Sequence, residues 1–504
     1  MRASRFLALC AVLSAIPWRC AAQTDTPEFR DPLQYKSHLS APKGYDPMKD
    51  TGTRHGKVAR RYIVRMKQEV QDLDNAISSL LDNTAVSSSS VGIAAGSSSD
   101  AVAPASLAAA GATPQTNFSG GGLQGFVLDI PADVDEADVV AQLSAHQDVM
   151  RVVPDTWVGI AAATARLSNS AEATTSLLRI GAIVPNKRPA SSARPMVQAA
   201  ANGSVVVALI DTGCDVTNED LNVVGGMDFT SDNSYGLDGN GHGTHVAGIL
   251  GARGNGRGIV GMYPKVPIFC LKVLGATGQG TMGTVVTALT WVAQNGRSKR
   301  IRVVNLSLSG ETNSEVCDAI SAVTKQGITV VVAAGNNGQD MAKFSPANCP
   351  DALVVTAIND FDGQAGGLKG VDPATGERDD NPARFSNYAT KGKPANIIAA
   401  PGTRILSYMP AYKCKDGSAS CISGTPNLGY LSGTSMAAPI VSGQVAMCYE
   451  RGVCKSNSGS EYSKIVRPAG SYSRSNKRFG FNGDPYNSPT SGKYYGFLIY
   501  GNTY

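Results

Sequence analysis

The chain carries little net charge. Its 45 lysines and arginines against 40 aspartates and glutamates leave +5 over 504 residues. That balance gives no polybasic field for nucleic acid and no basic anchor for an anionic membrane. No run reaches the ~20 apolar residues that crossing a bilayer takes. Ten cysteines are too few for a small scaffold built from disulfides. No Gly-x-Gly-x-x-Gly fingerprint is joined both to a strand before it and to an acid about 20 residues after it, which argues against a dinucleotide enzyme. What is present, 42% hydrophobic residues, can bury a large core, and the length suits about two or three folding units.

In chain order, Met1–Arg5 is basic, Phe6–Trp18 is mostly apolar and Cys20-Ala21-Ala22 is small. That three-part pattern over 1–22 is a secretory signal, so the expected product is a soluble, secreted protein without Cys10 and Cys20. Residues 23–59 read as a polar linker. Residues 60–160 read as a small α+β unit, with strands Arg60–Met66, Gly125–Ile130 and Val149–Val153 and helices Gln68–Leu81 and Glu136–His146. A stretch of Ala, Ser, Gly and Thr over 84–122 interrupts it. Such residues do not fill a core, and the expectation there is a disordered insertion. A second low-complexity bridge spans 161–176.

From 177 to 504, β-branched runs alternate with helical stretches. The strands are Val205–Ile210, Ile268–Leu274, Ile301–Leu308, Thr329–Ala333 and Leu353–Ile358. The helices are His242–Leu250, Met282–Gln294, Val316–Gln326 and Ser435–Tyr449. Continuous apolar strands between helices predict an α/β fold, a doubly wound, mostly parallel sheet with helices on both faces. Sites in such folds lie beyond the carboxyl ends of the strands, and the polar motifs fall there. Asp211 ends a buried strand in Ile210-Asp-Thr-Gly213. His242 opens a helix in Gly239-Asn-Gly-His-Gly-Thr-His245. Ser435 sits in Leu431-Ser-Gly-Thr-Ser-Met-Ala-Ala-Pro439, at a helix start where free N–H groups and the positive dipole end point outward. Taken alone, that stretch also suits a plain N-cap. A nucleophilic serine needs a base in reach and a carboxylate to orient the base. His245 competes for the part of base, or pairs with His242 on a metal, although no acid or cysteine partner is evident nearby.

The order Asp, His, Ser, with these flanks, resembles the subtilisin family of serine proteases over roughly 170–504. The resemblance implies Asp211 as orienting acid, His242 as general base, Ser435 as nucleophile and Asn336, at the end of Val330-Val-Val-Ala-Ala-Gly-Asn336, as oxyanion donor. It implies a cleft walled by Gly278, Gln279 and Gly280 on one side and Ser307, Leu308, Ser309 and Gly310 on the other, into which a peptide adds as a strand. Ser309 stands where the family has glycine, which narrows the pocket mouth. Ala333, Gly335 and Phe344 suggest an apolar P1 pocket of broad specificity, with the spacing of the family's proteinase K-like members.

The same resemblance makes 60–160 a propeptide that inhibits its own enzyme, cut off between about Ala161 and Ser170, and 456–491 an insertion before the last core segment, Tyr494–Tyr500. It implies a monomer acting on proteins or peptides, with no cofactor in the chemistry. It also implies a structural Ca²⁺ held by Asp220, by Asn255 and by carbonyls of Arg253, Arg257 and Ile259. Relatives with cysteines in both places pair Cys317 with Cys349. Cys414–Cys421 and Cys448–Cys454 are close enough in sequence to close small loops. Cys214 and Cys270 are compatible with a bridge or with two buried thiols.

Overall fold

The computed structural model describes residues 56–86, 105–160, 175–184, 194–195, 205–230, 236–255, 257–373, 375–390, 396–415, 421–422, 425, 427–455 and 461–501. The signal-like segment, most of the linker and the 161–170 window lie outside them.

The N-terminal unit runs β1 (Lys57–Met66), α1 (Leu73–Asn83), β2 (Thr113–Gly120), β3 (Leu123–Asp129), α2 (Glu136–Ala145) and β4 (Val149–Ile160). Its sheet has the order β2-β3-β1-β4, antiparallel throughout. The expected disordered insertion is corrected over its second half: Thr113–Gly120 is a strand paired with β3. Its polar residues face outward at the sheet edge, and Phe118 supplies the buried anchor that composition alone hides. A polar strand needs only that, because the ladder bonds are made by backbone.

The larger unit is built on eight strands, all in parallel pairs: β5 (Val206–Asp211), β6 (Val223–Asp228), β7 (Ile268–Lys272), β9 (Ile301–Leu306), β11 (Thr329–Ala333), β13 (Leu353–Ile358), β14 (Ile397–Pro401) and β17 (Phe497–Leu498). The order is β6-β7-β5-β9-β11-β13-β14-β17. The short strands are β8 (Gln279–Thr281), β10 (Leu308–Glu311), β12 (Phe344–Ser345), β15 (Ile405–Tyr408) and β16 (Leu428–Leu431).

Strand β5 shows why the sheet is covered on both faces. Val207 and Leu209 enter one core with α3 (Thr175–Arg179), α4 (His242–Gly251), α7 (Thr434–Glu450) and α8 (Glu461–Ser475). Val206, Ala208 and Ile210 enter another with α5 (Met282–Asn295) and α6 (Ser314–Lys325). Helix α7 is buried from Thr434 to Cys448, as a helix apolar all round must be. Helix α8 falls inside the 456–491 stretch and buries Ile465, Val466 and Ala469. The Tyr494–Tyr500 expectation holds, since Phe497–Leu498 closes the sheet against β14. All four bridges form: Cys214–Cys270, Cys317–Cys349, Cys414–Cys421 and Cys448–Cys454.

The two units share one sheet. The first part of β4 pairs with β1, Ile63 opposite Val153. Its last part leaves the unit and runs between β8 and β10. The strand reaches Ile160 rather than stopping at Val153, because partners from the larger unit extend the ladder.

Candidate active site

Helices α4 and α7 pack against each other, and His242 and Ser435 lie in their first turns. His242 Nδ1 lies 2.7 Å from Asp211 Oδ1, with His242 2% and Asp211 0% exposed. The same carboxylate oxygen accepts the Thr212 N–H at 2.8 Å. An ionised carboxylate accepts only, so Nδ1 carries the proton and Nε2 keeps its lone pair. Nε2 has no hydrogen-bond partner. The Ser435 hydroxyl donates to Ser307 O at 2.9 Å, and Ser307 Oγ donates to Ser435 O at 2.9 Å. Ser307 itself takes a bond from Asn305 Nδ2.

Asn336 follows β11 and is oriented by Thr434, the residue before Ser435. Thr434 N and Oγ1 donate to Asn336 Oδ1 at 3.0 and 2.8 Å. Its carbonyl is thereby held, and Nδ2 is left buried and unpaired. Three orphaned polar atoms, Asp211 Oδ2, His242 Nε2 and Asn336 Nδ2, thus belong to the residues expected to act together. Leaving a buried polar atom unpaired costs about 1–3 kcal/mol, so such a set suits a site that completes its bonds with a ligand. The arrangement suits acyl transfer: a hydroxyl, an imidazole with a free nitrogen, and an amide donor at a helix N-terminus.

His245 is placed otherwise. Its Nε2 lies 3.1 Å from Gly429 O, and burial, with His242 nearby, lowers its pKa to about 3. It is a neutral packing histidine, and among the described residues no metal-type cluster includes either histidine.

Two further buried residues hold the site in shape. Asp238 is buried and clamps the start of α4. Its Oδ1 accepts from Asn240 N, Gly241 N and Thr212 Oγ1, and its Oδ2 from Thr244 N and Oγ1. An acid four residues before His242, in a glycine turn, was the available signal. Lys272, fully buried beside Asp211 in the β7–β5 register, donates to Thr212 O and Leu274 O.

Trp157–Ile160 runs between the two segments expected as cleft walls. Gly280 faces Val158 and Gln279 faces Gly159 on one side; Leu308 faces Ile160 and Ser309 faces Gly159 on the other. Ile160 N donates to Gly278 O at 3.1 Å. Gly278 has φ +75°, and a Cβ there would meet Ile160 Cδ1 at 3.2 Å, so a side chain would crowd the occupant. A Cβ on Gly335 would lie 3.0 Å from Ser309 Oγ, which is itself buried and unpaired. Ala333 ends β11, and Phe344 opens β12 opposite Glu311.

The expected calcium residues come together, and both oxygens of the Asp220 carboxylate accept hydrogen bonds. Asn255 Nδ2 donates to Asp220 Oδ1 at 2.5 Å, and the Tyr408 hydroxyl donates to Asp220 Oδ2. Asn255 Oδ1 accepts from Arg257 N, and Arg253 O accepts from Asn255 N. A Cβ on Gly258 would come within 2.0 Å of the Tyr408 hydroxyl oxygen, so the phenol closes this loop; Ile259 beside it is buried.

A family model described as the Subtilase family matches residues 202–481. Subtilisin DY of Bacillus licheniformis is 34% identical over 248 residues, covering 48% of this chain and 76% of the relative. Subtilisin Savinase of Lederbergia lenta is 33% identical over 254 residues, covering 50% and 79%. Thermitase of Thermoactinomyces vulgaris is 34% identical over 255 residues, covering 50% and 77%. The chain belongs to the Subtilase family and is a subtilisin-like serine endopeptidase.

Proposed function

We propose that Ser435, His242, Asp211 and Asn336 form the catalytic machinery. Ser435 Oγ turns from Ser307 O to His242 Nε2, gives up its proton and attacks the scissile carbonyl. Asp211 holds the imidazole in the tautomer that accepts and steadies the imidazolium. Asn336 Nδ2 and the Ser435 backbone N–H donate to the oxyanion. His242 returns the proton to the leaving amine, and water then cleaves the acyl-enzyme by the same steps. The set of unpaired buried atoms on Asp211, His242 and Asn336 carries this reading.

The N-terminal unit acts as an intramolecular inhibitor on this reading. Its β4 tail fills the groove in which a substrate strand adds by backbone bonds. Arg65 and Arg151 pair with Glu315, and Asp155 Oδ1 accepts from Gly283 N in the first turn of α5. The chain matures by its own cut between about Ala161 and Ser170 and works as a secreted monomer on proteins. It prefers apolar P1 residues, since Ala333, Gly335 and Phe344 bring no charge to the pocket.

Ser435→Ala in the full chain tests the assignment. The variant is expected to keep its fold and lose casein hydrolysis; hydrolysis at the parental rate overturns it.

A further inference from the structure

The segment 359–384 leaves the carboxyl end of β13 and folds back on it. Asn359 N donates to Asn381 O, Asp380 N to Asn359 O and Ala383 N to Ala357 O. It carries six acids: Asp360, Asp362, Asp372, Glu377, Asp379 and Asp380. Three are matched by arginine, Asp372 with Arg404 at 3.0 Å, Glu377 with Arg384 at 3.0 Å and Asp380 with Arg179 at 2.6 Å. The other three have no ion pair among the described residues. They are also the three that converge: one oxygen from each of Asp360, Asp362 and Asp379 lies within 4.8 Å of the others.

Asp360 supplies an independent sign. It is 3% exposed; its Oδ1 accepts from Gly363 N at 3.1 Å, and its Oδ2 has no hydrogen-bond partner. A buried carboxylate oxygen left bare, with two more carboxylates beside it, is costly unless positive charge joins them. Arg179 makes no hydrogen bond to Asp360: its Nε is bound to Asp380, its Nη2 to Gly480 O, and its Nη1 is buried and unpaired. The Lys369 ammonium reaches Phe361 O at 3.2 Å, the carbonyl between two of the acids.

We propose that Asp360, Asp362 and Asp379 form a binding site for a hard divalent cation, Ca²⁺ by class. Two oxygens on one Ca²⁺ at 2.3–2.6 Å are at most about 5 Å apart, and carboxylate oxygens are the donors such an ion takes. Backbone amides hold the ligands in place: Phe361 N and Lys369 N donate to Asp379, and Gln364 N to Asp362. Asp362 is partly exposed, which leaves room for ion entry and for water ligands. The ion would act on structure and leave the chemistry alone. The residues just after the segment brace the Asn336 turn: Asn387 Nδ2 donates to Ala334 O, and Asn387 Oδ1 accepts from Asn337 N and Gln339 N. This site is separate from the Asp220–Asn255 loop.

The test uses full-length Ser435→Ala protein, which does not digest itself, stripped with EDTA and titrated with CaCl₂ by calorimetry and thermal melting. Saturable binding is expected, with a melting temperature raised by about 5 °C at a hundredfold excess over Kd. Asp360→Asn and Asp362→Asn are each expected to weaken binding at least about tenfold, and Asp220→Asn to leave it unchanged. Where Asp360→Asn does not fold, the more exposed Asp362→Asn decides. Absence of binding, binding of Mg²⁺ but not Ca²⁺, or binding lost in Asp220→Asn and kept in Asp362→Asn overturns the proposal.

Discussion

Replacing Glu315 by glutamine removes the charge that holds the N-terminal unit on α6 while keeping the side chain's volume. The Glu315 side chain is 1% exposed and meets Arg65 at 3.2 Å, itself 8% exposed, and Arg151 at 2.6 Å. Losing one partner of a buried, hydrogen-bonded pair costs about 2–5 kcal/mol. Arg65 also has Asp318 at 3.7 Å, and Arg151, 36% exposed, keeps Asp318 at 2.5 Å, so the low end applies and the second pair adds little. A loss of about 2–3 kcal/mol corresponds to roughly 30- to 150-fold weaker association, expressed mainly as faster dissociation. The assay follows activity on a chromogenic peptide after the processed complex is diluted. Glu315→Gln is expected to shorten the lag by that factor, with kcat/KM of the released enzyme within about twofold of the parent. An unchanged lag refutes the inhibitory role of this contact.

Burial lowers the His245 pKa from its ordinary value of 6.5 to about 3, so its contribution to stability is present above pH 6.5 and is lost as pH falls toward 3. The expected slope is about 1.4 kcal/mol per pH unit for one proton; urea unfolding of the Ser435→Ala chain from pH 7 to 4 should show it, and His245→Gln should remove that slope while sparing activity in the active parent. Equal slopes in both proteins contradict the assignment. Ser309→Gly is expected to raise kcat/KM for a P1 phenylalanine peptide about tenfold relative to P1 alanine, within the range that one or two atoms in an apolar pocket control. An unchanged ratio places Ser309 outside the pocket.

The sequence carried the parallel sheet because its strands are uninterrupted β-branched runs, Val330–Val332 being the clearest. Asp211, His242, Asn336 and Ser435 were legible because each stands where a strand or glycine turn gives way to polar residues. The reach of β4 to Ile160 was not, because Trp157–Ile160 is extended through partners more than a hundred residues away. Helix α8 was hidden by its Ser residues and Pro468, although Tyr462, Ile465, Val466, Ala469 and Tyr472 recur at helical spacing. Asp238 and the Asp360 cluster carry no periodic signal; only the folded chain brings their partners together. At Asp220 the sequence did not show Tyr408, whose hydroxyl enters the loop from a strand far along the chain.

The most direct measurement is labelling of the full chain with a fluorophosphonate, followed by mass spectrometry through the course of maturation. The account predicts no label while residues 56–160 remain seated, then label on Ser435 alone once they have left, and none at any time in His242→Ala. Label on another serine, or on Ser435 in His242→Ala at the parental rate, would contradict it.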